Sequence, residues 1–198
     1  MPEARVVAAS PGPLTVASLV EECRRIGLRE GQTVLAHSSL SSLGWVAGGP
    51  VAVIEALLAA LGPTGTLVMP CHSAENTEPS TWGNPAPTTS FTALGPNARA
   101  IIEDHALEEA FGERSPLARL YDLDGFVLLL GVGHDSNSSL HLAEVRASWP
   151  GKRTGRSGSA ILQGGERRWV EYDITLNQAS EERTKSRIAP AWSTAFRD

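Results

Sequence analysis

The densest set of chemically capable side chains lies in GVGHDSNSSLHLAE, residues 131–144. Ser138, His141 and Glu144 or Val145 stand at i, i+3 and i+6 or i+7. On a helix those positions share one face. A hydroxyl three residues before an imidazole can hydrogen-bond one ring nitrogen and leave the other as a base, while an acidic neighbour holds the tautomer. The competing reading is structural, with Ser138 a helix N-cap and His141 a satisfied polar side chain. Three apolar runs also end in histidine: His37 after TVLA, His72 after VMPC and His134 after LLLGVG. Ligands of open α/β sheets bind outside the carboxyl ends of the strands, so these histidines are candidates for one site, against the plainer reading of hydrogen-bonded loop residues. The chain has no HxH, no HxxxH and no carboxylate pair at ligand spacing, so no metal is expected. The loop HSSLSSLGWVAGG runs into a helix start whose backbone N–H groups suit an anion such as a pyrophosphate. It matches neither the P-loop nor the dinucleotide fingerprint.

Positioning such groups takes a sheet with helices. Thr15 is a helix N-cap, Val16, Leu19, Val20, Cys23 and Ile26 recur at helical spacing, and Gly27 closes the run. TVLAHSS reads as a buried strand. PVAVIEALLAALG reads as a helix with Pro50 near its start and Gly62 just past its end. TLVMPC is a second buried strand. This α-β-α-β order favours a right-handed crossover and a mostly parallel sheet. Residues 72–89 form a long polar loop, of the kind that is usually functional. A helix is expected over 96–105, a short one over SPLARLYDL capped by Ser115, a third buried strand in FVLLLGVG, and a helix starting at Asn137 or Ser138. SGSAILQ and RRWVEY, separated by GGE, read as a hairpin over 157–173. The fold class is therefore α/β: a mostly parallel or mixed sheet flanked by helices, with a small β element near the C-terminus.

The 198 residues fit a single domain, 1–198, large enough to bury a core without staples. Hydrophobic residues at 41% and charged residues at 20% exclude a disordered chain and a coiled coil. No membrane span and no signal peptide are visible, so a cytoplasmic location is expected. The two cysteines, Cys23 and Cys71, lie in apolar patterns and read as buried thiols. The net charge of −5 makes a diffuse nucleic-acid footprint unexpected. Glu103, Asp104, Glu108, Glu109 and Glu113 form an acidic window that can attract a cationic substrate or simply make a solvated helix face. Arg146, Lys152, Arg153, Arg156, Arg167 and Arg168 form a basic one.

Together, AHSSLSSLGWVAGG, TLVMPCHS and SPLARLYDLDGFVLLLGVGHDSNSSLHLAE resemble the aminoglycoside 3-N-acetyltransferase family, over residues 15–173 and in family order. The resemblance implies acetyl transfer from acetyl-CoA, without a metal, to the 3-amine of the deoxystreptamine ring, and hence antibiotic resistance. It implies CoA contacts from His37, Ser38, Ser39, Leu40, Ser41, Leu43 and Gly44, with Met69, Pro70 and Ser73 from the next strand end and Ser90 and Phe91 near the pantetheine. It places the family's catalytic histidine at His141 and the preceding Thr or Asp position at Ser138, with Glu144 as an acidic neighbour. Its loop carboxylates correspond to Glu75 and Glu78; Glu108, Glu113 and Asp135 are further candidates to hold a substrate's ammonium groups. The expected partner is a small-molecule aminoglycoside, with no nucleic acid or membrane, on a monomer or homodimer.

Three departures stand out. NPAPTTSF, near residues 87–89, joins directly two motifs that the family separates by a further segment with a Thr-Pro-Thr motif, a helix and an Arg-Ser-x-His-Pro turn. Cys71 and His72 stand where Thr and Gln are common, and the chain after Tyr172 diverges. The alternative function is therefore a shortened CoA-binding paralogue with little or no catalysis; a metal-dependent hydrolase built on the histidines is a third reading.

Overall fold

The computed structural model describes residues 3–71, 91–105, 111–148, 150 and 152–176. A short helix α1 (Glu3–Ala9), not anticipated from the sequence, precedes α2 (Val16–Arg25). The start of α2 is a capping box, with the Ser18 N–H donating to Thr15 Oγ1 at 3.2 Å and the Thr15 N–H to Ser18 Oγ at 2.8 Å, so two otherwise unpaired donors are satisfied. Leu19 and Cys23, one turn apart, are its buried residues.

Strand β1 (Thr33–Ser38) is buried from Thr33 to His37 because it is central. Its alternation divides the core: Val34 and Ala36 pack with α2 and the next long helix, Leu35 with the helices on the other face. The single turn α3 (Leu40–Leu43) leads to α4 (Gly49–Leu61), which buries Ala52, Val53, Ala56, Leu57, Ala60 and Leu61. A fully buried leucine such as Leu57 contributes roughly 2 kcal/mol through removal of apolar surface from water. Then come β2 (Thr66–Pro70), β3 (Phe91–Leu94), α5 (Ala98–Ile102), α6 (Pro116–Asp122), β4 (Phe126–Leu130) and α7 (Ser139–Arg146).

The sheet order is β3-β2-β1-β4. β1 pairs in parallel with β2 (Thr33↔Thr66) and with β4 (Val34↔Phe126 to Ser38↔Leu130), and β3 pairs antiparallel with β2. Helices cover both faces, α2 and α4 on one, α5 to α7 on the other, giving three layers. Asn97 ties the layers together at the strand starts: its N–H donates to Thr66 Oγ1 and its Nδ2 to Thr33 Oγ1, each at 3.0 Å. Arg119 of α6 caps the C-terminal end of α5 by donating to the carbonyls of Ile101, Glu103 and Asp104.

A separate two-stranded sheet, β5 (Arg153–Gln163) and β6 (Glu166–Leu176), pairs residue for residue around Gly164–Gly165. Both glycines have positive φ, +61° and +83°, the requirement of a tight two-residue hairpin turn. The hairpin extends beyond the expected 157–173 at both ends.

Other expectations are corrected. The helix expected over 96–105 is only Ala98–Ile102, because Glu103 is already extended and Asp104 has φ +52°. β4 is not a buried strand: it lies at an edge of the sheet, with Phe126 exposed and Val127 to Leu130 half-buried. Cys23 is buried, which pushes its thiol up, but Cys71 is exposed just past the end of β2. Among the described residues no helix is long and apolar enough to cross a membrane.

Candidate active site

The chain that leaves β1 turns towards β2, whereas β4 lies on the opposite side of β1. The carboxyl ends of β1 and β4 therefore flank a topological switch point, where open α/β sheets leave a crevice. A cleft of about 470 Å³ opens there. Its walls are Ala36, His37 and Ser38 from β1 and Met69 and Pro70 from β2. The remaining wall is the chain after β4, with Val132, Asp135, Ser136, Asn137, Ser138 and His141.

The start of α7 is held by side chains of different origin. Asn137, buried, is its capping side chain: Oδ1 accepts the Ser139 N–H at 3.0 Å and the Ser139 hydroxyl at 2.7 Å. Ser138 has helical backbone angles and makes no side-chain cap. Its backbone N–H donates instead to Nε2 of His37, 3.3 Å away and buried. At the other end, the Lys152 ammonium donates to the carbonyls of Glu144, Val145 and Ala147 at 3.1, 2.7 and 2.8 Å, placing a cation at the negative end of the helix.

One turn into α7, the Nδ1–H of His141 donates to Oε2 of Glu144 at 2.9 Å. The imidazole is 34% exposed at the cleft, while the carboxylate side chain is only 6% exposed. A buried carboxylate on Nδ1 fixes the tautomer and leaves the lone pair on Nε2. Phe111 stacks on the ring, with centroids 4.5 Å apart and planes at 21°. Two residues on, Glu113 accepts from Arg146 Nε and Nη2, each at 2.8 Å. Arg146 also lies over the Tyr121 ring at 4.6 Å. The guanidinium holds the Glu113 carboxyl below the usual carboxylate range.

The cleft thus gathers His37, Ser38, Met69, Pro70, Asp135, Ser138 and His141, with Glu144 behind His141. Ser39, Leu40, Ser41, Leu43 and Gly44 form the α3 turn beside Ser38 and do not line it. That turn is fastened to β4: the Ser39 N–H donates to the Leu130 carbonyl at 3.0 Å. Gly131, at φ +67°, allows the close approach, since a Cβ there would meet Ser42 Cβ at 2.8 Å. Phe91 pairs with Pro70 at the end of β2. Glu113 stands apart from the cleft lining, in its pair with Arg146, and Glu103 pairs with Arg99. Both carboxylates are solvent-exposed and each is paired with an arginine. Ser73, Glu75, Glu78, Ser90, Glu108 and His72 lie outside the described residues. His134 is exposed and is not part of the cleft wall.

Residue reading missed Phe111, which reaches His141 across thirty positions of sequence without a local signal. Asn137 carried a signal, its place just before Ser-Ser at a helix start, which the structure resolves in its favour over Ser138.

Fold and site define an α/β protein with a histidine–carboxylate pair at the mouth of a strand-end cleft. The family model for aminoglycoside 3-N-acetyltransferase matches residues 35–87 and 86–191. The SPbeta prophage-derived aminoglycoside N(3')-acetyltransferase-like protein YokD of Bacillus subtilis is 37% identical over 213 residues, covering 85% of this chain and 78% of its own. Its crystal structure superposes with a TM-score of 0.82 over 96% of this chain and 85% of that one, at 33% identity. Aminoglycoside N(3)-acetyltransferase IV from Salmonella is 41% identical over 156 residues, 68% of this chain and 60% of that protein. A mutant of the acetyltransferase AAC(3)-IVa, solved in complex with a gentamicin, superposes with a TM-score of 0.73 at 35% identity over 93% of this chain and 79% of that one. The chain belongs to the aminoglycoside 3-N-acetyltransferase family.

Proposed function

We propose that this protein transfers the acetyl group of acetyl-CoA to the 3-amino group of an aminoglycoside, with His141 as general base. The observation that carries the reading is the 2.9 Å bond from His141 Nδ1 to the buried Glu144 carboxylate beside the strand-end cleft. The acceptor amine is largely protonated at neutral pH, so it must lose a proton before it attacks. Nε2 of His141 takes that proton, and Glu144 steadies the imidazolium that results. The amine nitrogen bonds to the thioester carbonyl carbon, the C–S bond breaks, and the sulfur leaves as CoA thiolate in one ternary complex. Asp135, at the cleft wall, is the described carboxylate best placed to attract a further ammonium group. The groups lining the cleft suit CoA as co-substrate: serine and asparagine groups for its polar parts, Met69 and Pro70 for its pantetheine chain.

The reading is tested by thiol release from acetyl-CoA in the presence of gentamicin. His141→Ala is expected to lose about a hundredfold or more in turnover while still binding CoA, the usual scale of a lost general base. Near-native turnover in that variant would remove His141 from the role.

The second reading, a shortened CoA-binding paralogue with little catalysis, is favoured by one observation. The family model matches in two pieces that overlap at residues 86–87, within NPAPTTSF. CoA binding by calorimetry, with no thiol release from any aminoglycoside, would select it.

A further inference from the structure

We propose that His37 is a positioning residue, whose neutral imidazole pins the start of α7, and with it His141, to the end of β1. Its effect on turnover rests on the general-base reading of His141; the bond itself does not. The first turn of a helix has donors with no partner inside the helix, and each must be satisfied from outside or by the preceding turn. Here the Ser139 N–H goes to Asn137 Oδ1, the Leu140 N–H to the Asn137 carbonyl and the His141 N–H to the Ser138 carbonyl. The Ser138 N–H alone among these four reaches an acceptor on another element, His37 Nε2, across 101 positions of sequence.

That acceptor is built in. His37 follows Leu35 on the face of β1 turned towards α5 to α7, and the residue is only 5% exposed. Its backbone position is fixed by the ladder to β4, where it pairs with Leu129. An imidazole nitrogen accepts an N–H only through its lone pair, so Nε2 carries no hydrogen and the ring proton sits on Nδ1. A ring in that state has its Nε2 lone pair engaged and offers no Nε2–H to a ligand, whereas the family resemblance counts His37 among the CoA contacts. Loss of the tie frees the helix start that carries the base, and misplacement of a reacting group by about 1 Å costs up to about a hundredfold.

Three readouts on the full chain test this. In protein carrying isotope-labelled histidine, the ring nitrogens of His37 are expected to show the Nδ1–H tautomer; an Nε2–H tautomer or an imidazolium at neutral pH would overturn the proposal. Amide exchange at Ser138 is expected to accelerate in His37→Ala and to slow again in His37→Gln, whose Oε1 can accept the N–H; unchanged exchange in His37→Ala would overturn it. In kinetics, His37→Ala should lower kcat about tenfold to a hundredfold with CoA affinity unchanged, and His37→Gln should recover most of it. CoA affinity falling in step with kcat would make His37 a ligand contact instead. Should His141→Ala keep full turnover, the general-base reading fails, yet tautomer and exchange still decide the His37–Ser138 bond.

Discussion

His141 is restrained from three sides. Glu144 fixes its Nδ1 by a charge-assisted hydrogen bond, Phe111 covers a ring face, and the start of its helix is tied to β1. Of the two hydrophilic neighbours at helical spacing, Glu144 is the one on the ring, while Ser138 acts through its backbone. Glu144→Gln keeps shape and an acceptor but removes the charge that, in the proposed mechanism, stabilises the imidazolium. Turnover is expected to fall about tenfold to a hundredfold, whereas Ser138→Ala, which retains the backbone N–H, should stay within a few-fold of the parent; kcat measured side by side checks the contrast. The spacing of His141 and Glu144 was legible because one helical turn is a local relation. Phe111 and the His37–Ser138 bond were not, because no periodicity within a segment encodes a contact between segments.

The segment around residues 111–113 is clamped to α7 twice, by Phe111 on His141 and by Glu113 on Arg146. The second clamp is electrostatic and has a pH signature. The folded pKa of Glu113 is depressed, so its contribution is fully present above the unfolded carboxylate pKa and is lost as pH falls through the lower folded value. Because the pair is largely solvated, Glu113→Gln should cost at most about 1 kcal/mol at neutral pH. The difference from the parent should vanish below the usual carboxylate range, as urea unfolding at several pH values would show. At this scale the helices with clear punctuation, α2 with its capping box and α4 between Pro50 and Gly62, stood where the sequence placed them. β3 went unseen because FTAL is too short to establish a period. β4 was misjudged because a continuous apolar run does not distinguish a central strand from an edge strand; that depends on neighbours supplied by the rest of the chain.

For the whole molecule, a net charge of −5 and a carboxylate at the cleft wall set a field that attracts cations, as the proposed polycationic acceptors require. The KM for gentamicin-like acceptors is therefore expected to rise with added salt, with CoA affinity less affected, when both are measured at two ionic strengths. Salt-independent acceptor binding would reduce Asp135 to ordinary surface charge. The α/β class was legible from the alternation of elements, because each strand and helix carries its own apolar pattern; the switch point was not, since strand order is a property of the assembled sheet. That order also has a temporal consequence. Each β4 residue pairs with a β1 residue that precedes it by 92 positions, as Phe126 does with Val34. A ribosome adding roughly 5–20 residues per second leaves several seconds between the two strands. During that interval α2, β1, α4 and β2 can already pack together while the far edge of β1 waits open. His37 can meet its partner at the start of α7 only once a further 101 residues have been made, and until β4 arrives the nascent chain carries an unpaired edge of β1.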